Sequence, residues 1–135
     1  MAARVLDSWA LLAFYKGEPA GAAVEKLLEA AAESERPLLL SAVNWAEVYY
    51  TMERAGGRQV AEDMAAQLAT LPIEVVGVGD DFKLARLAAQ FKASHKMSLA
   101  DAFAAALAKE KKAELVTGDP EFKGLEKEIK IQWLK

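Results

Sequence analysis

The stretch Glu114-Leu115-Val116-Thr117-Gly118-Asp119 is a short apolar run that stops at a glycine and an acid. Upstream of it, Leu99, Phe103 and Leu107 mark a helix through an alanine-rich segment. A helix running straight into a short buried strand is one unit of a layered α/β fold, and the rest of the chain repeats it. Arg4-Val5-Leu6 stops at Asp7 in the same way. Leu38-Leu39-Leu40 follows Pro37, and Ile73-Glu74-Val75-Val76 follows Pro72. Ile129-Lys130-Ile131-Gln132-Trp133 alternates apolar and polar side chains, as a half-exposed edge strand does. Between these runs the apolar residues fall at i, i+3, i+4 and i+7. The stripes are Val24, Leu27, Leu28 and Ala31, then Trp45, Val48, Tyr49 and Met52, then Leu84, Leu87, Ala88 and Phe91. Gly56-Gly57 ends one helix and lets another begin near Arg58. The first three crossovers are each long enough for two helices. The expectation is an α/β protein whose parallel sheet is covered by helices on both faces.

Composition narrows the chemistry. The chain has 135 residues and a mass of 14.6 kDa, which predicts a single domain over residues 1–135. Of the 53% apolar residues, 28 are alanine, which favours helix. Seventeen Lys and Arg against 20 Asp and Glu leave a net charge of −3, so the surface as a whole attracts no polyanion. The absence of cysteine excludes a disulfide scaffold, a thiolate zinc site and a cysteine nucleophile. One histidine, His95, excludes multi-histidine metal sites and reads as a solvated turn residue. No apolar run spans a bilayer, and Asp7 comes too early for a signal peptide; a cytoplasmic protein with no membrane partner is expected.

In a parallel sheet the C-terminal ends of the strands share one edge, and ligands bind beyond it. Acids fall at that edge. Asp7 closes the first strand, Glu47 lies in the first turns of the helix after the second, Asp101 opens the helix Ser98-Leu99-Ala100-Asp101-Ala102, and Asp119 closes the fourth strand. Each has a structural explanation. Asp7 and Asp119 suit helix N-caps, and Asn44–Glu47 and Ser98–Asp101 each fit a capping box. Yet Asp7 sits between an apolar strand and Trp9, and Glu47 between Trp45 and Val48. Carboxylates brought together in a partly desolvated cleft take up protons or are neutralised by a cation. With neither thiolate nor an imidazole cluster, hard oxygen ligands suit Mg²⁺ or Mn²⁺.

Val5-Leu6-Asp7-Ser8, Asn44-x-x-Glu47, Leu99-Ala100-Asp101-Ala102 and Thr117-Gly118-Asp119-x-x-Phe122, in this order, resemble the PIN-domain nucleases, and more narrowly the VapC-type toxins of toxin–antitoxin pairs. The resemblance covers nearly the whole chain. It implies a three-layer α/β/α sandwich with a parallel sheet of about five strands in order 3-2-1-4-5. It also implies a Mg²⁺- or Mn²⁺-dependent endoribonuclease acting on RNA, a homodimer, and a cognate antitoxin protein that covers the cleft. Asp7, Glu47, Asp101 and Asp119 match the family's catalytic and metal-binding acids. Thr117 matches its hydroxyl residue, Ser8 and Asn44 are candidate supporting partners, and Glu121 is a candidate outer acid.

Two other functions compete: a PIN nuclease of RNA processing without an antitoxin, and a receiver-like signalling module. The module needs a phospho-acceptor Asp at the end of the third strand. Lys16, Arg54, Arg58, Lys92 and Lys96 are candidate phosphate contacts. Trp9, Trp45, Tyr49 and Tyr50 read as packing residues. Val24, Leu27, Leu28, Met64 and Leu68 exceed what one core needs and suggest a partner groove. Gly77-Val78-Gly79 lacks the third glycine of a dinucleotide loop.

Overall fold

A computed structural model describes residues 3–135. Met1 and Ala2, which open the stretch read for a leader, lie outside the described residues. The elements run β1 (Arg4–Leu6), α1 (Ser8–Tyr15), α2 (Pro19–Ser34), β2 (Leu38–Ser41), α3 (Ala42–Gly56) and α4 (Arg58–Leu68). They continue with β3 (Ile73–Val76), α5 (Lys83–Ser94), α6 (Leu99–Lys111), β4 (Glu114–Thr117), a 3₁₀ turn (Pro120–Leu125) and β5 (Ile131–Trp133). The strands form one sheet in order β3-β2-β1-β4-β5, every neighbouring pair parallel. As expected, two helices cross from each of the first three strands to the next.

Side-chain alternation along the strands divides the interior. Val5 and Leu115 enter one apolar cluster with Leu84, Phe91, Phe103 and Leu107 of α5 and α6. Their neighbours Leu6 and Val116 point the other way, into a second cluster with Leu11, Val24, Val48 and Met64 of α1 to α4. Helices therefore cover both faces. The alanines have a place in this: Ala102, Ala104, Ala105, Ala106 and Ala108 are all buried, and α6 packs on β1, β2 and β4. Small side chains let that helix lie close over the centre of the sheet. Gly21 serves a tight corner, since a Cβ there would stand 2.6 Å from the Ala13 carbonyl oxygen.

Several expectations change. Val24, Leu28, Met64 and Leu68 are buried in the second cluster and Leu27 packs against it, so they are core and not a partner groove. The last strand begins at Ile131; Ile129 is buried, its N–H donating to the Leu125 carbonyl at 3.0 Å. His95 closes α5, half-buried, with Nε2 3.5 Å from a Glu128 carboxylate oxygen. The receiver-like reading loses its acceptor, because β3 lies at the edge of the sheet and ends at Val76, before Gly77. Among the described residues no helix is long and apolar enough to cross a membrane.

Candidate active site

Position in the sheet sets the site. β1 is central, so Asp7, the residue after it, falls at the middle of the C-terminal edge between the ends of β2 and β4. Asp7 is fully buried. As N-cap of α1 it accepts the Ala10 N–H on Oδ1 at 2.8 Å, the capping role its position suggests. Its other oxygen, Oδ2, accepts the hydroxyl of Thr117, itself fully buried at the end of β4. The Thr117 Oγ1 in turn accepts the Asp119 N–H at 3.0 Å. One hydroxyl thus joins the acid after β1 to the backbone of the acid after β4.

Gly118 stands between these two residues because of space. A Cβ there would lie 2.2 Å from Cη2 of the Trp9 ring, so the indole of α1 covers this peptide directly. Asp119 is half-buried and caps the 3₁₀ turn, its Oδ1 accepting the Glu121 N–H at 2.9 Å. Glu121 itself is exposed. Asp101 lies in the first turn of α6, half-buried, and its N–H donates to Ser98 Oγ at 3.1 Å.

The helix after β2 departs from expectation. Ser41, fully buried, caps α3 by accepting the Val43 N–H at 3.1 Å, so Asn44 is inside the helix and Asn44–Glu47 is not a capping box. A serine directly before a helical stripe was the available signal. Asn44 Nδ2 donates to Ser8 Oγ at 2.9 Å, and Ser8 Oγ donates to the Asn44 carbonyl at 3.5 Å. These two residues bind each other and tie α1 to α3. The Asn44 Oδ1 is buried with no hydrogen-bond partner. Glu47, one turn further and half-buried, accepts the Tyr50 hydroxyl on Oε2 at 3.4 Å.

The charges of these acids act on one another. Burial above all pushes the Asp7 carboxyl up to about 8; the Thr117 and Ala10 hydrogen bonds hold it down, while the charges of Asp101 and Asp119 raise it further. Asp101 is raised to about 6, by burial first, then by Asp119 and Glu47, with Glu121 adding and a Ser98 hydrogen bond opposing. The four predicted acids, with Glu121, therefore lie in one negative field.

That field, an all-oxygen donor set and the unpartnered Asn44 Oδ1 fit a hard divalent cation in charge and chemistry. The side chains are not drawn into a ligand shell. Among the described residues no three acidic, histidine or cysteine side chains are grouped as a metal site, and Asp7 and Asp119 each accept a local backbone N–H. The capping explanation and the shared field hold together.

The PIN domain family model matches residues 4–128. Comparison with curated protein sequences finds no match. Among solved structures the chain is similar to VapBC2 from Rickettsia felis bound to a DNA fragment from their promoter, at 16% identity and a TM-score of 0.72 over 98% of each chain. It is also similar to a toxin–antitoxin complex from Klebsiella pneumoniae, at 21% identity and a TM-score of 0.62 over 91% of this chain and 92% of that one. A third is Mycobacterium tuberculosis VapC20, a sarcin-ricin loop cleaving toxin, at 19% identity and a TM-score of 0.70 over 90% and 94%. At these identities the likeness carries the fold.

Proposed function

We propose that this chain, which belongs to the PIN domain family, is a divalent-metal-dependent endoribonuclease and the toxin of a toxin–antitoxin pair. The observation that carries the reading is the buried Asp7, held by Thr117 and the Ala10 N–H within the field of Asp101 and Asp119. The structural neighbours that are toxins or toxin–antitoxin complexes support the biological role. In this reading a cognate antitoxin protein covers the cleft, and the toxin acts as a homodimer in the cytoplasm.

Asp7, Asp101 and Asp119, with Glu47 beside them, would hold Mg²⁺ or Mn²⁺. When bound, such an ion polarises a phosphodiester and makes its bound water more acidic. The protein's own part is to keep the carboxylates in place. Thr117 and Ala10 fix both oxygens of Asp7, and Trp9 over Gly118 shields the peptide that links Thr117 to Asp119. Glu47 has one oxygen on the Tyr50 hydroxyl and offers the other to the attacking water. Water adds to phosphorus, the bond to the 3′ oxygen breaks, and a 3′-hydroxyl and a 5′-phosphate result; His95 has no part in this.

The test is incubation with total RNA and Mn²⁺ or Mg²⁺, with and without chelator. Cleavage that chelator stops, and that Asp7→Asn reduces to background while the protein stays folded, is expected. Chelator-insensitive cleavage, or none with either ion, rejects the reading.

A further inference from the structure

A cluster of acids repels RNA, so a strand needs a cation and a stacking surface next to the cluster to be held there. The structure sorts the candidate cations. Arg58 is engaged by both carboxylate oxygens of Glu53, at 2.6 and 3.3 Å. Lys92 donates to the Met97 carbonyl at 2.9 Å. Lys16 closes α1 at the end away from Asp7, and Lys96 stands in the connection between α5 and α6 without an aromatic partner among the described residues.

Arg54 differs from all of these. It is exposed, enters no ion pair among the described residues, and its guanidinium carbon lies 4.7 Å from the centroid of the Tyr50 ring. Tyr50 is 44% exposed, and its hydroxyl reaches Glu47. Glu47, Tyr50 and Arg54 stand at i, i+3 and i+7 on one face of α3, and α3 packs against α6, which carries Asp101 in its first turn. Carboxylate, phenol and guanidinium thus form a ladder leading away from the acids.

The geometry points to Tyr50 and Arg54 as the subsite that seats the RNA strand. The guanidinium takes a backbone phosphate, and the exposed ring carries a flanking base. A planar cation lying on an aromatic ring is held in a fixed orientation while its N–H groups stay available to an anion. This inference rests on the nuclease reading and assigns Tyr50 and Arg54 positioning roles.

The test is steady-state cleavage of a fluorescein-labelled, single-stranded RNA of mixed sequence in Mn²⁺. Arg54→Ala is expected to raise KM about tenfold with kcat within about twofold of wild type, and Tyr50→Ala to raise KM about tenfold over Tyr50→Phe, which loses the same contact with Glu47. Tyr50→Phe, which keeps the ring, is expected to keep the wild-type KM. Arg54→Ala should also reduce the salt dependence of KM by about one counterion. Lys111→Ala, removing the same charge at the far end of α6, should leave KM unchanged. Unchanged KM in both alanine variants overturns the subsite, as does a loss confined to kcat. Unchanged KM with weakened capture of a protein partner overturns it too, and makes this face a protein-docking surface. If wild type cuts no RNA, the nuclease reading falls and the subsite with it; if wild type cuts and only the KM effects are missing, the subsite alone falls.

Discussion

The Thr117 hydroxyl donates to Oδ2 of Asp7 across 110 positions of sequence while accepting the N–H of Asp119. It is a side-chain link between the ends of the adjacent strands β1 and β4, beside the backbone bond from the Asp7 N–H to the Val116 carbonyl at 3.4 Å. Thr117→Val would leave a buried carboxylate oxygen and the Asp119 N–H without their partner. We expect a loss of about 1–3 kcal/mol in urea unfolding and cleavage at least tenfold slower, with Thr117→Ser restoring most of both. Valine behaving as wild type in both assays would remove Thr117 from the site.

Asp7 also sets a pH dependence. Its carboxyl is raised to about 8 in the fold against an ordinary value of 3.8. Between those values the folded protein keeps a proton that the unfolded chain has lost. Stability in chelator is therefore highest below about pH 4 as far as Asp7 is concerned, and falls as pH rises toward about 8. The slope approaches about 1.4 kcal/mol per pH unit at its steepest. Asp101, raised to about 6, adds a smaller contribution of the same sign over the lower part of that window. Asp7→Asn should flatten the slope, and urea melts at a series of pH values in EDTA would show it.

A divalent ion should reverse that penalty. Mn²⁺ or Mg²⁺ is expected to raise the Tm of wild type at pH 7, by an amount equivalent to about 2.7 kcal/mol at a hundredfold excess over Kd. Asp7→Asn and Asp101→Asn should lose most of the shift. A wild-type Tm indifferent to both ions would show that the acids hold none.

Gly118→Ala tests the cover over the Thr117–Asp119 peptide. The new Cβ would overlap the Trp9 ring, so the indole must move. We expect destabilisation of about 1–3 kcal/mol and a changed tryptophan emission, with part of the stability recovered by adding Trp9→Leu. An unaltered spectrum and stability would show that the ring yields freely.

How much of this is legible in the residues depends on range. Val5-Leu6, Leu38-Leu39-Leu40 and Leu115-Val116 read as buried strands because short apolar runs bounded by Pro, Gly or Asp have few other uses. Paired helices follow from stripes separated by Gly56-Gly57. The acids at the strand ends are legible too, since topology alone puts Asp7 and Asp119 at one edge. Ser41 was hidden by Asn44, as either residue satisfies the local rule for a cap and only packing chooses between them. Val24, Leu28, Met64 and Leu68 looked surplus because the apolar pattern does not say that the interior lies on two sides of the sheet.

The amino-acid order by itself determined the elements, their parallel arrangement and which carboxylates stand at the C-terminal edge, because local periodicity and chain connectivity are short-range properties. Tertiary structure decided what those carboxylates do to one another. Burial raises Asp7, Thr117 anchors it from the far end of the chain, and Arg54 lies over an exposed ring while Arg58 is taken by Glu53. Desolvation and Coulomb fields depend on distances through space, which no window of sequence contains.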